Sequence, residues 1–114
     1  MSANNNIRII GRLGKTPEMK YGPSGTAVAK VSVAVDTRRG GEDSPPDWFS
    51  CVAFGKTAEV VNDYGAKGRL VALDGEMHQN RWEKDGEPRV SWELTIRSVQ
   101  FLDKPPAQEE PDFE

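Results

Sequence analysis

The residues best suited to chemistry lie in one run, Trp48-Phe49-Ser50-Cys51-Val52-Ala53-Phe54-Gly55-Lys56. As an extended strand it points alternate side chains to opposite sides. Trp48, Ser50, Val52 and Phe54 share one side; Phe49, Cys51 and Ala53 share the other. Two rings six residues apart, followed by a glycine and a lysine, suit a flat ligand that carries negative charge. The bases of a single nucleic-acid strand are such a ligand, because stacking beside a cation holds them without sequence reading. The competing reading is that the rings are core, since large apolar side chains are usually buried. Trp82, in Asn80-Arg81-Trp82-Glu83-Lys84, stands where a strand enters a turn, and exposure and burial are equally open there. Arg38-Arg39 lies in a Gly/Pro loop with nothing apolar to pack on, and serves either solubility or phosphate contact. Arg12, Lys15, Lys20, Lys30 and Lys56 gain meaning only if the fold gathers them on one face.

Other chemistries find no support. Gly55-Lys56-Thr57 resembles the end of a phosphate-binding P-loop, but that loop needs a glycine five residues before Gly55, where Ser50 stands inside a strand. No Ser/His/Asp set is suggested by spacing, and the carboxylates are scattered. One histidine, His78, cannot build a typical zinc site with one cysteine, and a single cysteine excludes an intrachain disulfide framework. Cys51 reads as a small core residue and His78 as a solvated strand residue. No cofactor, no metal and no enzymatic activity are expected.

The chain has 114 residues, enough for one domain with one core, and its formal net charge is −3. From Asp103 to Glu114 there are five acids against Lys104, a net −4, so residues 1–102 carry +1. The acidity therefore belongs to the end of the chain and does not argue against a polyanionic ligand for the body; any basic surface must be local. No run reaches membrane-spanning length, and Met1–Asn6 has neither the basic region nor the apolar stretch of a targeting signal. A cytoplasmic protein, associated with the nucleoid, is expected.

The pattern along the chain is all-β. Residues 1–6 read as a flexible N-terminus. Ile7–Leu13 is rich in β-branched residues and reads as a strand, with Gly11 as a bulge or a point of close approach. Glu18–Tyr21 reads as a short strand before the turn Gly22-Pro23-Ser24-Gly25. Thr26–Asp36 alternates, with Ala27, Ala29, Val31, Val33 and Val35 forming the apolar face. After strand Trp48–Phe54 the period changes: Ala58, Val61 and Tyr64 recur at helical spacing over Lys56–Tyr64, and Gly65 and Gly68 end the helix. Arg69–Gly75 is a strand that continues towards Trp82, Asp85-Gly86 is a hairpin turn, and Arg89–Leu102 is the last strand. Tyr64 and Phe101 read as core; Trp92 is either core or covered by a subunit contact. Five main strands with a helix between the third and fourth match the five-stranded Greek-key barrel called the OB-fold. The expected domain spans residues 7–103, followed by a short, acidic, disordered tail over residues 104–114.

Ile10-Gly11-Arg12-Leu13-Gly14, Pro17-Glu18, Tyr21 and Pro23-Ser24-Gly25-Thr26-Ala27-Val28-Ala29 resemble the opening of the bacterial single-stranded DNA-binding proteins. The resemblance runs on through Trp48, Val52-Ala53-Phe54-Gly55-Lys56, Ala58-Glu59, Tyr64, Lys67-Gly68, Gly75, Arg81-Trp82 and Asp85-Gly86, over roughly residues 7–102. It implies an OB-fold that assembles as a homotetramer and binds and protects single-stranded DNA in replication, recombination and repair. The bases would stack on Trp48, Phe54 and Trp82, and the phosphates would meet Arg12, Lys15, Lys30, Arg38, Arg39, Lys56, Arg81 and Lys84. Two departures stand out. A further aromatic, common in the family after the second main strand, gives way to Arg38 and Arg39, and Trp92 stands where the family is usually polar. In the family, a long Gly/Pro/Gln linker leads to an acidic end with a terminal phenylalanine that recruits replication and repair proteins. Here Asp112 and Phe113 are the corresponding partner-binding residues, but the linker is nearly missing and Glu114 follows the phenylalanine. The other reading of an OB-fold chain is an adaptor of the replication-restart (primosome) type, whose face binds protein instead of DNA.

Overall fold

The computed structural model describes residues 4–37 and 44–103. These form β1 (Ile7–Leu13), β2 (Glu18–Tyr21), β3 (Ala27–Val35), β4 (Asp47–Phe54), α1 (Gly55–Tyr64), β5 (Leu70–Lys84) and β6 (Glu87–Phe101). β1 pairs with β5 along one edge, from Ile7 to Arg12, and with β3 on the other edge at Arg12 and Leu13. β3 pairs with β4, β4 runs parallel to β6 at Cys51–Leu94 and Val52–Thr95, and β6 returns to β5. The ring of strands is thereby closed. β4 occupies one edge of β3 throughout, so β2, which pairs Glu18–Tyr21 with Ala27–Lys30, shares the edge that β1 uses further along. β1 and β2 thus form one stave interrupted at residues 14–17. The barrel has five staves with a helix between the third and fourth, which is the OB-fold.

Alternation explains the core. In β3, Ala27, Ala29, Val31 and Val33 are buried while Lys30 is exposed. Cys51 and Ala53 from β4, Leu73 from β5, and Leu94 and Ile96 from β6 meet them inside, and Phe49, Met77 and Phe101 pack against this cluster. Each Leu or Val buried here contributes roughly 1.5–3 kcal/mol. The helix closes the barrel with Ala58 and Val61. Gly11 is a point of close approach: a Cβ there would collide with the carbonyl oxygen of Ala34, so only glycine lets β1 cross from β5 to β3.

Arg69 is the one buried charged residue among those described, at 3% exposure. Its guanidinium donates from Nη1 to Tyr64 O (2.7 Å), at the end of α1, and from Nη2 to Asp103 O (2.6 Å). Nε donates to Asp103 Oδ1 at 3.2 Å, and the plane lies 4.2 Å from the centre of the Phe101 ring. The same carboxylate accepts from Leu70 N–H (3.2 Å) and pairs with Arg12 (3.5 Å). This clasp ties the end of β6 to the start of β5 and to the end of the helix. Desolvation pushes the Asp103 carboxyl up, but the Leu70 and Arg69 hydrogen bonds and the charges of Arg69 and Arg12 outweigh it and hold its pKa below the ordinary value.

The structure refines several expectations. The helix begins at Gly55, one residue earlier, and ends with Gly65 in an extended rather than a left-handed conformation, its N–H bonded to Val61 O. Tyr64, expected in the core, is 57% exposed. It ends a ten-residue helix whose buried residues are Ala58 and Val61, and meets Phe101 only at a tilt of 59°, with centroids 6.3 Å apart. Asp85 and Gly86 both have positive φ, as a two-residue type I′ turn requires, and the turn joins strands of 15 residues each. Asn5 is tied down by its side chain, which accepts from Met77 N–H and donates to Met77 O.

The clasp yields a test. Arg69→Met should lower unfolding free energy by about 2 kcal/mol, the scale of lost charge-assisted hydrogen bonds. Because the folded pKa of Asp103 is depressed, its contribution is present above the unfolded value of ~3.9 and disappears as pH falls through the folded value. Urea unfolding across that acid range should show the loss in the parent, and Asp103→Asn should flatten it. An Asp103→Asn curve with the parent's acid slope would remove the clasp from the account.

Candidate nucleic-acid interface

The face opposite the core carries the rings. Trp48 is 60% exposed and Phe54 48% exposed, while Phe49, Cys51 and Ala53 between them point inward. Register extends the two rings into rows. Trp48 stands beside Ala34, and Ala34 beside Arg12; Phe54 stands beside Val28, and Val28 beside Lys20. The central row runs Glu18, Lys30, Val52, Thr95, Glu76. Val52 faces outward by alternation yet is buried, at 4% exposure. At the strand rise, the six residues from Trp48 to Phe54 place the rings about 20 Å apart.

The same alternation continues into the β5–β6 hairpin. From Glu76 and Thr95 on the outer side, every second pair follows: His78 with Glu93, Asn80 with Ser91, Trp82 with Arg89, Lys84 with Glu87. Trp82, 48% exposed, is therefore on the outer side of the sheet with Trp48 and Phe54, and Lys84 lies beside it. Arg81 takes the other side, with Val90 opposite it, and its guanidinium is held by the Gln79 side chain. Trp92 pairs with Gln79 on that second side and is 56% exposed, so within this chain it is not core.

The cations divide in the same way. Lys15 and Lys30 are exposed and line one groove of about 270 Å³, with Ser32 and Ser50 between the two rings. Lys56 is exposed in the first turn of α1, two residues beyond Phe54. Arg12 lies in the Trp48 row, but its Nη1 donates to Gly68 O at 2.9 Å and pairs with Asp103. Arg38, Arg39, Asp112 and Phe113 lie outside the described residues. Gly14, quoted above only within the run Ile10-Gly11-Arg12-Leu13-Gly14 and given no role there, meets one of the rings. A Cβ on Gly14 would stand 2.5 Å from Cζ3 of Trp48, so the ring packs closely against the glycine, with Lys15 next in the chain. Cys51 lies at the floor of the groove, and burial first, then the charge of Glu93, push its thiol up to about 12. Among the described residues, no group of histidine, cysteine, aspartate or glutamate side chains is arranged to hold a metal ion, and no helix is long and apolar enough to cross a membrane.

A closed OB barrel with rings and cations on its outer surface defines the class of small β-barrel binding modules. Comparison with known proteins narrows it. The pattern of the single-strand binding protein family matches residues 4–102, and the chain belongs to that family. It is 44% identical over 113 residues to a single-stranded DNA-binding protein of Thermotoga maritima, an overlap covering 95% of this chain and 80% of that one. It is 37% identical to single-stranded DNA-binding protein 1 of Synechocystis sp., covering 86% and 83% respectively. A single-stranded DNA-binding protein of Treponema pallidum is also 37% identical, over 90% of this chain and 60% of its own length.

The Gly14 contact can be probed directly. In a background where Trp82 and Trp92 are phenylalanine, Gly14→Ala should change Trp48 emission and its quenching by acrylamide. Stability should stay close to the parent's, because the ring has solvent to swing into. Unchanged emission would show that the ring does not rest on Gly14.

Proposed function

We propose that this chain is a non-catalytic, largely sequence-independent binder of single-stranded DNA that serves replication, recombination and repair. The observation that carries the reading is the presence of Trp48, Phe54 and Trp82, all about half exposed, on one side of a continuous sheet. Exposing three large rings is unfavourable unless something flat covers them. Bases do so, each stack contributing about 1–3 kcal/mol. Lys15, Lys30, Lys56 and Lys84 lie along the same surface to meet phosphates, and Arg12 joins them when it leaves Asp103. Arg81 reaches the strand only from the hairpin's other side. Family membership and the names of the relatives support the same reading.

Oligo-dT should quench tryptophan fluorescence and bind far more tightly than duplex DNA. Trp48→Ala and Trp82→Ala should each weaken binding by about 1–3 kcal/mol. Affinity should fall steeply with salt as counterions return to the phosphates. Parent-like affinity in both tryptophan variants would remove the ring platform from the account. Salt-independent binding of a protein ligand in place of oligo-dT would point to the adaptor reading instead.

We also propose that the chain assembles as a homotetramer in the cytoplasm. Among the described residues two apolar features lack a partner: Ile10 is exposed beside the edge of β1 that pairs with no described strand ahead of Arg12, and Val90 and Trp92 are exposed on the inner side of the hairpin. A second copy is suited to cover such surface. Light scattering at micromolar concentration should give about four times the chain mass of 12.6 kDa, and a monomer would exclude the assembly. Asp112 and Phe113 remain the proposed contact for replication and repair partners.

A further inference from the structure

Arg12 is claimed from two directions. It lies in the Trp48 row on the outer surface, two strand spacings or about 10 Å from the backbone of Trp48. It also belongs to the clasp at the end of β6, through Asp103. The two arginines of that clasp are held very differently. Arg69 is buried and bonds Asp103 twice, from Nε to the carboxylate at 3.2 Å and from Nη2 to the backbone carbonyl at 2.6 Å. Arg12 meets Oδ2 at 3.5 Å, beyond the ordinary range of a hydrogen bond, and 58% of its side chain is exposed. An exposed, loosely held pair of this kind contributes little to stability. Among the described residues the Arg12 guanidinium uses Nη1 alone, towards Gly68 O and Asp103, while Nε and Nη2 bond nothing.

We propose that Asp103 and a DNA phosphate compete for Arg12, so that a bound single strand draws this guanidinium out of the clasp. The inference rests on the single-strand reading above and names a contact that restrains it. A phosphate beside a base stacked on Trp48 can offer two oxygens to the fork of the guanidinium, where Asp103 offers one at 3.5 Å. Asp103 is shared with Arg69 and with Leu70 N–H, so its charge stays compensated when Arg12 departs. The end of β6 therefore stays fastened while the exchange takes place. Coupling of this kind is reciprocal: the factor by which the Arg12–Asp103 pair weakens DNA binding is the factor by which bound DNA weakens the pair.

The test is a double-mutant cycle of Arg12→Gln and Asp103→Asn, read as oligo-dT affinity at pH 7.5 over a series of salt concentrations. Asp103→Asn alone should tighten oligo-dT by about two- to fivefold at low salt, the range of an exposed ion pair that no longer has to be broken. The gain should shrink as salt screens the pair. In the Arg12→Gln background the same substitution should leave affinity unchanged. Arg12→Gln alone should weaken binding and reduce the salt slope by about 0.7, the loss of one phosphate contact on a single strand. Equal tightening by Asp103→Asn in both backgrounds would mean that the carboxylate acts by general repulsion, and would overturn competition for Arg12. Weaker binding in Asp103→Asn would overturn it as well, by making Asp103 a support for Arg12. Arg12→Gln leaves the Arg69 bonds intact, so a parent-like slope in that variant overturns the proposal even if Asp103→Asn does not fold. Failure of the parent to bind oligo-dT would instead overturn the proposed function. Affinities are compared at a temperature where thermal unfolding shows each variant folded.

Discussion

A small barrel has one interior, and each strand can give it only every second side chain. Everything distinctive about this chain follows from that constraint. Ala27, Ala29, Val31 and Val33 fill the inside of β3, so Val28, Lys30, Ser32 and Ala34 must face out. Phe49, Cys51 and Ala53 fill the inside of β4, so Trp48 and Phe54 must face out as well. Because the ring of strands is closed, the outward side chains of one strand lie beside those of the next, and a row across five strands becomes a surface. A slip of one residue anywhere would exchange the two sets, and the parallel contact of β4 with β6 at Cys51–Leu94 pins the register where the interior is tightest.

Charge is arranged around that surface with two different purposes. Arg69 is buried, bonds Tyr64 O and Asp103 and stacks on Phe101, and so ties the end of β6 to the start of β5. Lys15 and Lys30 are exposed and make no ion pair among the described residues, so they keep their side-chain freedom and stay available to a ligand. Arg12 stands between the two groups. It lies in the Trp48 row yet shares Asp103 with Arg69, so the clasp at the end of β6 and the ligand surface draw on one side chain.

The hairpin carries the alternation beyond the barrel, where no interior remains to absorb either side. From Gln79 to Trp92 its residues are exposed on both faces. One face keeps Trp82 and Lys84 in continuity with the outer surface; the other keeps Trp92, Val90 and Arg81 in continuity with the core. The same two-residue period that buries Leu94 therefore delivers Trp92 to solvent among the described residues.

Much of this was legible without coordinates. Alternation in Thr26–Asp36 and Trp48–Phe54, the change of period after Gly55, and the Asp85-Gly86 turn are local patterns, and local patterns determine which side of its own element each residue takes. They yielded five staves, one helix and a shared side for Trp48 and Phe54. What they leave undetermined is how one strand's sides are joined to another's. That Trp82 belongs with Trp48, and Arg81 does not, follows only from the pairings of β4 with β6 and of β6 with β5. Tyr64 has the spacing of a core residue, yet it ends the helix and is exposed, while Ala58 and Val61 are buried. Gly14 was one residue of a motif in the sequence and in the fold abuts the Trp48 ring. Glu18, Lys30 and Glu93 are far apart in the chain and share one groove. Each of these depends on long-range register, and closing a barrel is the step at which register is chosen.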